Sequence, residues 1–157
     1  MARPGSVGTM GVHVEVVERV SDELVEAFQR LVPQLSSSVA APGAEVLERI
    51  VAFPGNRLLV ARDEGAIVGT LTLVLFPIPT GLRARIEDVV VDEAARGQGV
   101  GASLSLEALR LATKAGARTV DLTSRPGREA ANRLYQRLGF RLRESHVYRY
   151  AGPPEAG

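Results

Sequence analysis

From Val12 to Val16 apolar and polar residues alternate, with Val12, Val14 and Val16 on one side and His13 and Glu15 on the other, the period of a half-buried strand. The period then lengthens. Ser21 stands where a helix N-cap is needed, and Leu24, Phe28 and Leu31 share one helical face up to Pro33. A second short helix is expected between Pro42 and Pro54, with Val46, Leu47 and Ile50 as its apolar positions. Two apolar runs, about 57 to 62 and 66 to 76, flank Asp63-Glu64-Gly65 and predict a hairpin. Leu82 to Val91 predicts a fourth strand. From Gly99 to Ala115 a stripe of Leu104, Ala108, Leu111 and Ala115 predicts a helix, and Gly116 is suited to end it. Arg118 to Thr123 then reads as a short strand, Arg128 to Leu138 as a helix ended by Gly139, and Phe140 to Tyr150 as a final strand. The order β-α-α-β-β-β-α-β-α-β is mixed α/β with no internal repeat. The folded unit is expected over 12–150, with the Gly-rich 1–11 and the Pro/Gly/Ala-rich 151–157 as flexible tails.

A chain of 157 residues, 45% hydrophobic and 24% charged, suits one domain with a sizeable core. It contains no cysteine, which excludes a disulfide framework, a thiolate zinc site and a cysteine nucleophile. His13 and His146 are too few for a histidine metal site, so no metal is expected. A net charge of +1 argues against duplex nucleic acid or an anionic membrane as a whole-molecule partner. The longest apolar run, around Ile67 to Phe76, is broken by Gly69, Thr70 and Thr72, far short of the roughly 18 residues of a membrane span. No apolar stretch follows Arg3 as a secretory signal would require, and a cytoplasmic location is the default expectation.

The densest chemical signal is Ile86-Glu87-Asp88-Val89-Val90-Val91, then Asp92 to Ala95, then Arg96-Gly97-Gln98-Gly99-Val100-Gly101. A strand that passes through a glycine-rich turn into a helix aims several backbone N–H groups and the positive end of the helix dipole at one point. That is a phosphate cradle, and Arg96 at its mouth adds charge-assisted donors. The competing reading is a turn that only changes chain direction. Gly97, Gly99 and Ala102, with Asp121 further on, formally satisfy a dinucleotide fingerprint. In that fold, however, the glycines follow the first strand almost at once, whereas here four strands come before. A Walker A loop is excluded because no Gly-Lys-Ser/Thr follows.

These blocks, together with Asn132-Arg133-Leu134-Tyr135-Gln136-Arg137-Leu138-Gly139-Phe140, resemble the GNAT superfamily of acyl-coenzyme A-dependent N-acetyltransferases. The likeness covers most of 12–150 as an element order and about 86–140 as motif. It implies a single-domain α/β fold, a mixed and mostly antiparallel sheet of six to seven strands flanked by about four helices. It also implies acetyl-CoA as the acyl-donor cosubstrate, with its pyrophosphate on the turn from Arg96 to Ala102. The backbone of Val89, Val90 and Val91 would then pair with the pantetheine arm and acetyl carbonyl, and Asn132 and Tyr135 would face the thioester. The acceptor would be a small-molecule or peptide amine. Homodimerisation is compatible with the resemblance but has no sequence signature. The opening Ile86-Glu87-Asp88 is similar to that of glucosamine-6-phosphate N-acetyltransferases, but their later acidic cluster is missing at Leu122-Thr123-Ser124-Arg125, and that substrate is not carried over.

Asn132 and Tyr135, three apart, share a helix face beside the Ala131, Leu134 and Leu138 stripe. On a regular strand Ile86, Asp88 and Val90 share one face and Glu87, Val89 and Val91 the other, so at least one carboxylate is expected among apolar groups. Either acid is then structural or is a base. An alkylammonium of pKa about 10.4 must lose a proton before it attacks, which makes Glu87 and Asp88 the candidate bases. Tyr135 is the candidate acid for the departing thiolate. The alternative from another class is a catalytically silent acyl-CoA-binding sensor or interaction domain.

Overall fold

Five strands hydrogen-bond in sequence order in the computed structural model, which describes residues 11–153. β1 (Val12–Val16), β2 (Asn56–Asp63), β3 (Ala66–Ile78) and β4 (Gly81–Val91) are antiparallel neighbours, and β5 (Thr119–Asp121) runs parallel to β4. The helices are α1 (Asp22–Leu35), α2 (Ala44–Ala52), α3 (Val100–Ala115) and α4 (Glu129–Arg137), with a 3₁₀ turn at Glu93–Ala95. The chain forms two compact units, Met1–Arg125 and Pro126–Gly157. The sheet and α1 to α3 belong to the first; α4 belongs to the second.

In the first unit the sheet has an apolar layer on each face. Leu24, Ala27, Phe28 and Leu31 of α1 and Leu47 of α2 bury against Leu58, Val60, Ile67 and Val90. On the other face Val100, Leu104, Ala108 and Ala112 of α3 are buried, as are Leu59, Ala61, Leu71, Leu73, Ala84 and Ile86 of the sheet. Each fully buried Leu contributes about 1.5–3 kcal/mol by leaving water, so these two layers carry the fold. Gly69 allows α3 to approach closely, since a Cβ there would stand 3.0 Å from Val100 Cγ1 and 3.1 Å from the Val90 carbonyl. Ser21 caps α1 as expected, its hydroxyl accepting from the Leu24 N–H at 3.2 Å. The helix continues past Pro33 to Leu35: the proline removes its own N–H bond and crowds the carbonyl four residues back, but it stands in the last turn, which still closes, as in Ser36 N–H to the Val32 carbonyl. Gly116 ends α3 in the left-handed conformation.

Two expectations are corrected. Among the described residues the sheet has five strands rather than six to seven. Phe140 to Tyr150 forms no strand: Leu142, Val147, Tyr148 and Tyr150 are 73–93% exposed. The strand-forming residues there express a propensity that yields a strand only where a ladder partner exists. Of the expected tails, residues 1–10 and 154–157 lie outside the described residues. Among those described, no helix is long and apolar enough to cross a membrane.

Candidate active site

β4 carries an irregularity at the centre of the site. Its pairing with β3 runs Thr72↔Glu87 and then Thr70↔Val90, so Asp88 and Val89 fall opposite one residue, and Asp88 takes φ 51°. This is a β-bulge, which kinks a strand and re-aims side chains. Alternation fails across it. Glu87 and Val90 lie on the same face, the one covered by α1 and α2, and not on opposite faces as a regular period requires.

Neither carboxylate is buried, which also departs from expectation. At the bulge both are in reach of water: Glu87 is half-buried and Asp88 exposed. Glu87 Oε1 accepts from Arg85 Nε at 2.9 Å, and Arg85 Nη2 reaches the Thr123 hydroxyl at 3.2 Å. Partial desolvation, and after it the negative charge of Glu87, push the Asp88 carboxyl above the ordinary Asp range. A carboxylate raised in this way is a stronger base. Val90 is buried, whereas Val89 and Val91 are half-buried.

Beyond β4, Asp92 opens the 3₁₀ turn by accepting from the Ala94 N–H at 3.2 Å, and Ala95 is buried as its anchor. Arg96, Gly97, Gln98 and Gly99 are exposed, and Val100, at 1% exposure, pins the start of α3. Gly97 and Gly99 hold φ of 80° and 79°, which an L side chain rarely adopts. Gly99, the N-cap residue of α3, has no side chain with which to cap the helix start, and nothing stands within 4 Å of where a Cβ on Gly97 would be. The N–H groups of a helix start, backed by glycines, fit a pyrophosphate. Gly101 and Ala102 are half-buried in the first turn of α3.

In the second unit α4 places Asn132 and Tyr135, both half-buried, on one face. Asn132 Nδ2 donates to the Pro126 carbonyl at 3.5 Å. α4 ends in a Schellman motif. The Phe140 N–H bonds the Tyr135 carbonyl and the Gly139 N–H bonds that of Gln136, with Gly139 at φ 101°. That closure sets the Phe140 ring edge-on to Tyr135, centroids 5.8 Å apart at 70°. Burial pushes the Tyr135 phenol pKa up, opposed by the charge of Arg128, so the hydroxyl is a proton donor at neutral pH.

Two features escaped the reading of the sequence. Arg85 sits two residues before Glu87 on one strand face, a spacing from which the ion pair could have been inferred. The contacts of Asp92 with Arg30 and Gln34 join residues 62 and 58 positions apart, and no local pattern announces them.

The sequence pattern that defines the Acetyltransferase (GNAT) family matches residues 18–140. A glucosamine 6-phosphate N-acetyltransferase of Trypanosoma brucei brucei is 40% identical over 95 residues, which are 59% of this chain and 63% of that protein. The match therefore spans less than two thirds of that relative's length. Among solved structures, a transcriptional regulator of Bacillus halodurans superposes with a TM-score of 0.73 at 28% identity, covering 88% of this chain and 99% of the other. An acetyltransferase of Trypanosoma brucei superposes with a TM-score of 0.68 at 26% identity, over 88% and 99%.

Proposed function

Because this chain belongs to the GNAT family of acetyltransferases, we propose that it transfers the acetyl group of acetyl-CoA to a primary amine by direct attack in a ternary complex. The observation that carries this reading is the glycine-backed start of α3 directly behind a bulged β4 that bears two acids. Acetyl-CoA supplies an activated thioester. Glu87 or Asp88 removes the proton that keeps the acceptor nitrogen from attacking, and the raised pKa of Asp88 strengthens it for that task. Backbone N–H groups near Val90 stabilise the oxyanion as the carbon–nitrogen bond forms. Tyr135 gives its proton to the sulfur as the carbon–sulfur bond breaks and regains one from the nitrogen, which sheds its second proton to become the amide, while the proton first taken by the acid passes to solvent.

The turn from Arg96 to Ala102 is the pyrophosphate site in this reading, and Asn132 holds the pantetheine end. A covalent acyl-enzyme is disfavoured, since the chain has no cysteine. Amino sugars head the acceptor candidates, because the curated relative is named for one. A panel of amino sugars, aminoglycosides, polyamines and peptides, with release of the coenzyme thiol as readout, tests the reading. At least one amine should be turned over. Acetyl-CoA binding without turnover of any amine would favour a sensor, a second reading supported by the likeness to a protein described as a transcriptional regulator.

A further inference from the structure

Helix α1 and the turn leading to the glycines are joined through Arg30 and Gln34 of α1 and through Asp92, the residue that also caps the 3₁₀ turn. Gln34, in the last turn of α1, accepts at Oε1 from the Glu93 N–H at 2.8 Å. Its Nε2 donates to the Arg30 carbonyl at 3.2 Å and to Asp92 Oδ1 at 3.5 Å. Arg30, one turn earlier, donates from Nε to Asp92 Oδ2 at 3.0 Å and from Nη2 to the Ile67 carbonyl at 2.7 Å. The Asp92 N–H bonds the Val68 carbonyl at 2.7 Å, so the same residue is tied to the sheet and to the helix. Against partial desolvation, hydrogen bonds from Ala94, Arg30 and Gln34 hold the Asp92 carboxyl below the ordinary range, as expected of an acid kept ionised by its donors.

These contacts are a poor source of overall stability. The Arg30 side chain is 48% exposed, and an ion pair in contact with water contributes little. Their effect is local. From Glu93 to Gly99 only Ala95 is buried, so packing alone leaves the turn few anchors. A loop that must be ordered by its ligand weakens binding, and one that is ordered in advance does not.

We propose that Arg30, Gln34 and Asp92 are positioning residues for acetyl-CoA, clamping the 92–99 turn to helix α1 so that the start of α3 is presented before the coenzyme binds. The clamp rests on the acetyl-CoA reading above. None of the three residues need touch the coenzyme; they act through the turn. Gln34→Ala removes both contacts of the amide with the turn, and Gln34→Glu sets a second carboxylate against Asp92. Asp92→Asn removes the charge that Arg30 meets.

Calorimetric titration with acetyl-CoA should give a Kd raised about 5- to 50-fold in each variant. With any amine that is turned over, KM for acetyl-CoA should rise while kcat stays within about threefold. Amide hydrogen exchange over 93–99 in the ligand-free protein should also quicken. Arg62→Gln is the control, since it breaks an ion-pair cluster with Glu15 and with Glu23 of the same helix, far along α1 from Gln34. It should leave both Kd and exchange over 93–99 unchanged. A wild-type protein that does not bind acetyl-CoA overturns the coenzyme reading and the clamp with it. Wild-type binding with unaltered Kd and exchange in the variants overturns the clamp alone. So does an equal weakening in Arg62→Gln, which would mark a general loss of stability.

Discussion

Glu87 and Val90 stand three residues apart on β4 and yet share a face, because the bulge at Asp88 and Val89 takes up the extra residue. The acid and the hydrophobic anchor therefore act on the same side of the sheet. Val90 locks the strand into the α1–α2 layer while Glu87, beyond the bulge, stays open to water and to Arg85. Asp88 absorbs the irregularity in its backbone, with φ 51°.

Asp88→Asn and Glu87→Gln separate the two acids. Asn tolerates the left-handed conformation that Asp88 occupies, so the first change removes charge without new strain. The native pKa of Asp88 is raised, which means the folded state holds its proton more tightly than the unfolded one. Stability is then full below the ordinary value of about 3.9 and falls as pH rises through the raised folded value. Asp88→Asn should accordingly be slightly more stable than wild type at neutral pH, by less than about 1 kcal/mol for a group so open to solvent, and should lose that advantage below about pH 4. In turnover, one of the two variants should lose roughly 10² to 10⁴ in kcat at neutral pH and recover toward the pKa of the amine. Wild-type rates and pH profiles in both would make the acids structural.

Gly99→Val tests the cradle. A β-branched residue at φ 79° is strained by roughly 1–2 kcal/mol and puts a side chain where the helix start faces an anion. Acetyl-CoA should raise the Tm of the wild-type protein and not that of the variant, as differential scanning fluorimetry would show. Equal shifts in the two proteins would move the pyrophosphate site elsewhere.

Gly69→Ala probes how the sheet supports the start of α3. The added Cβ would press on Val100 Cγ1 and on the Val90 carbonyl, and the latter cannot swing away. Overpacking of this kind costs about 1–3 kcal/mol. Because Val100 is the first residue of α3, the strain should reach the cradle, and urea unfolding and acetyl-CoA Kd should both worsen. A loss of stability with unchanged Kd would mean that the helix start moves as a rigid piece.

Much of this site could be read from the order of residues, for reasons that differ by element. The turn at Arg96 to Gly101 was visible because positive φ selects glycine, a requirement written in the local sequence. α3 was visible from Leu104, Ala108 and the terminal Gly116, and the hairpin from Asp63-Glu64-Gly65. The bulge was not, because the extra residue exists only relative to β3, and Glu87-Asp88-Val89-Val90 by itself looks like regular strand. The clamp was hidden for the same reason at longer range: Gln34 and Asp92 are ordinary polar residues until the fold brings them together. Phe140 to Tyr150 shows the opposite error, in which strand-forming residues suggested an element that their surroundings do not complete.

Tyr135 has its ring fixed independently of its hydroxyl. The Schellman closure of α4 and the edge-on contact with Phe140 both survive replacement by Phe, so Tyr135→Phe should fold normally and bind acetyl-CoA nearly as tightly as wild type. A coenzyme thiolate resembles Cys, with a pKa near 8.5, and at neutral pH it leaves more readily if it receives a proton from a phenol of pKa about 10 or above. Burial raises the Tyr135 value, which keeps the proton available. The variant should therefore lose about 10² to 10⁴ in kcat at neutral pH with little change in Tm. The raised pKa has a second consequence, since a phenol that ionises less readily in the fold contributes stability below about pH 10 that is lost as pH climbs through its folded value. Above that pH Tyr135→Phe should gain on the wild type. Parallel losses of Tm and kcat would make Tyr135 a packing residue, and unchanged kcat would mean that water protonates the thiolate or that product release sets the rate.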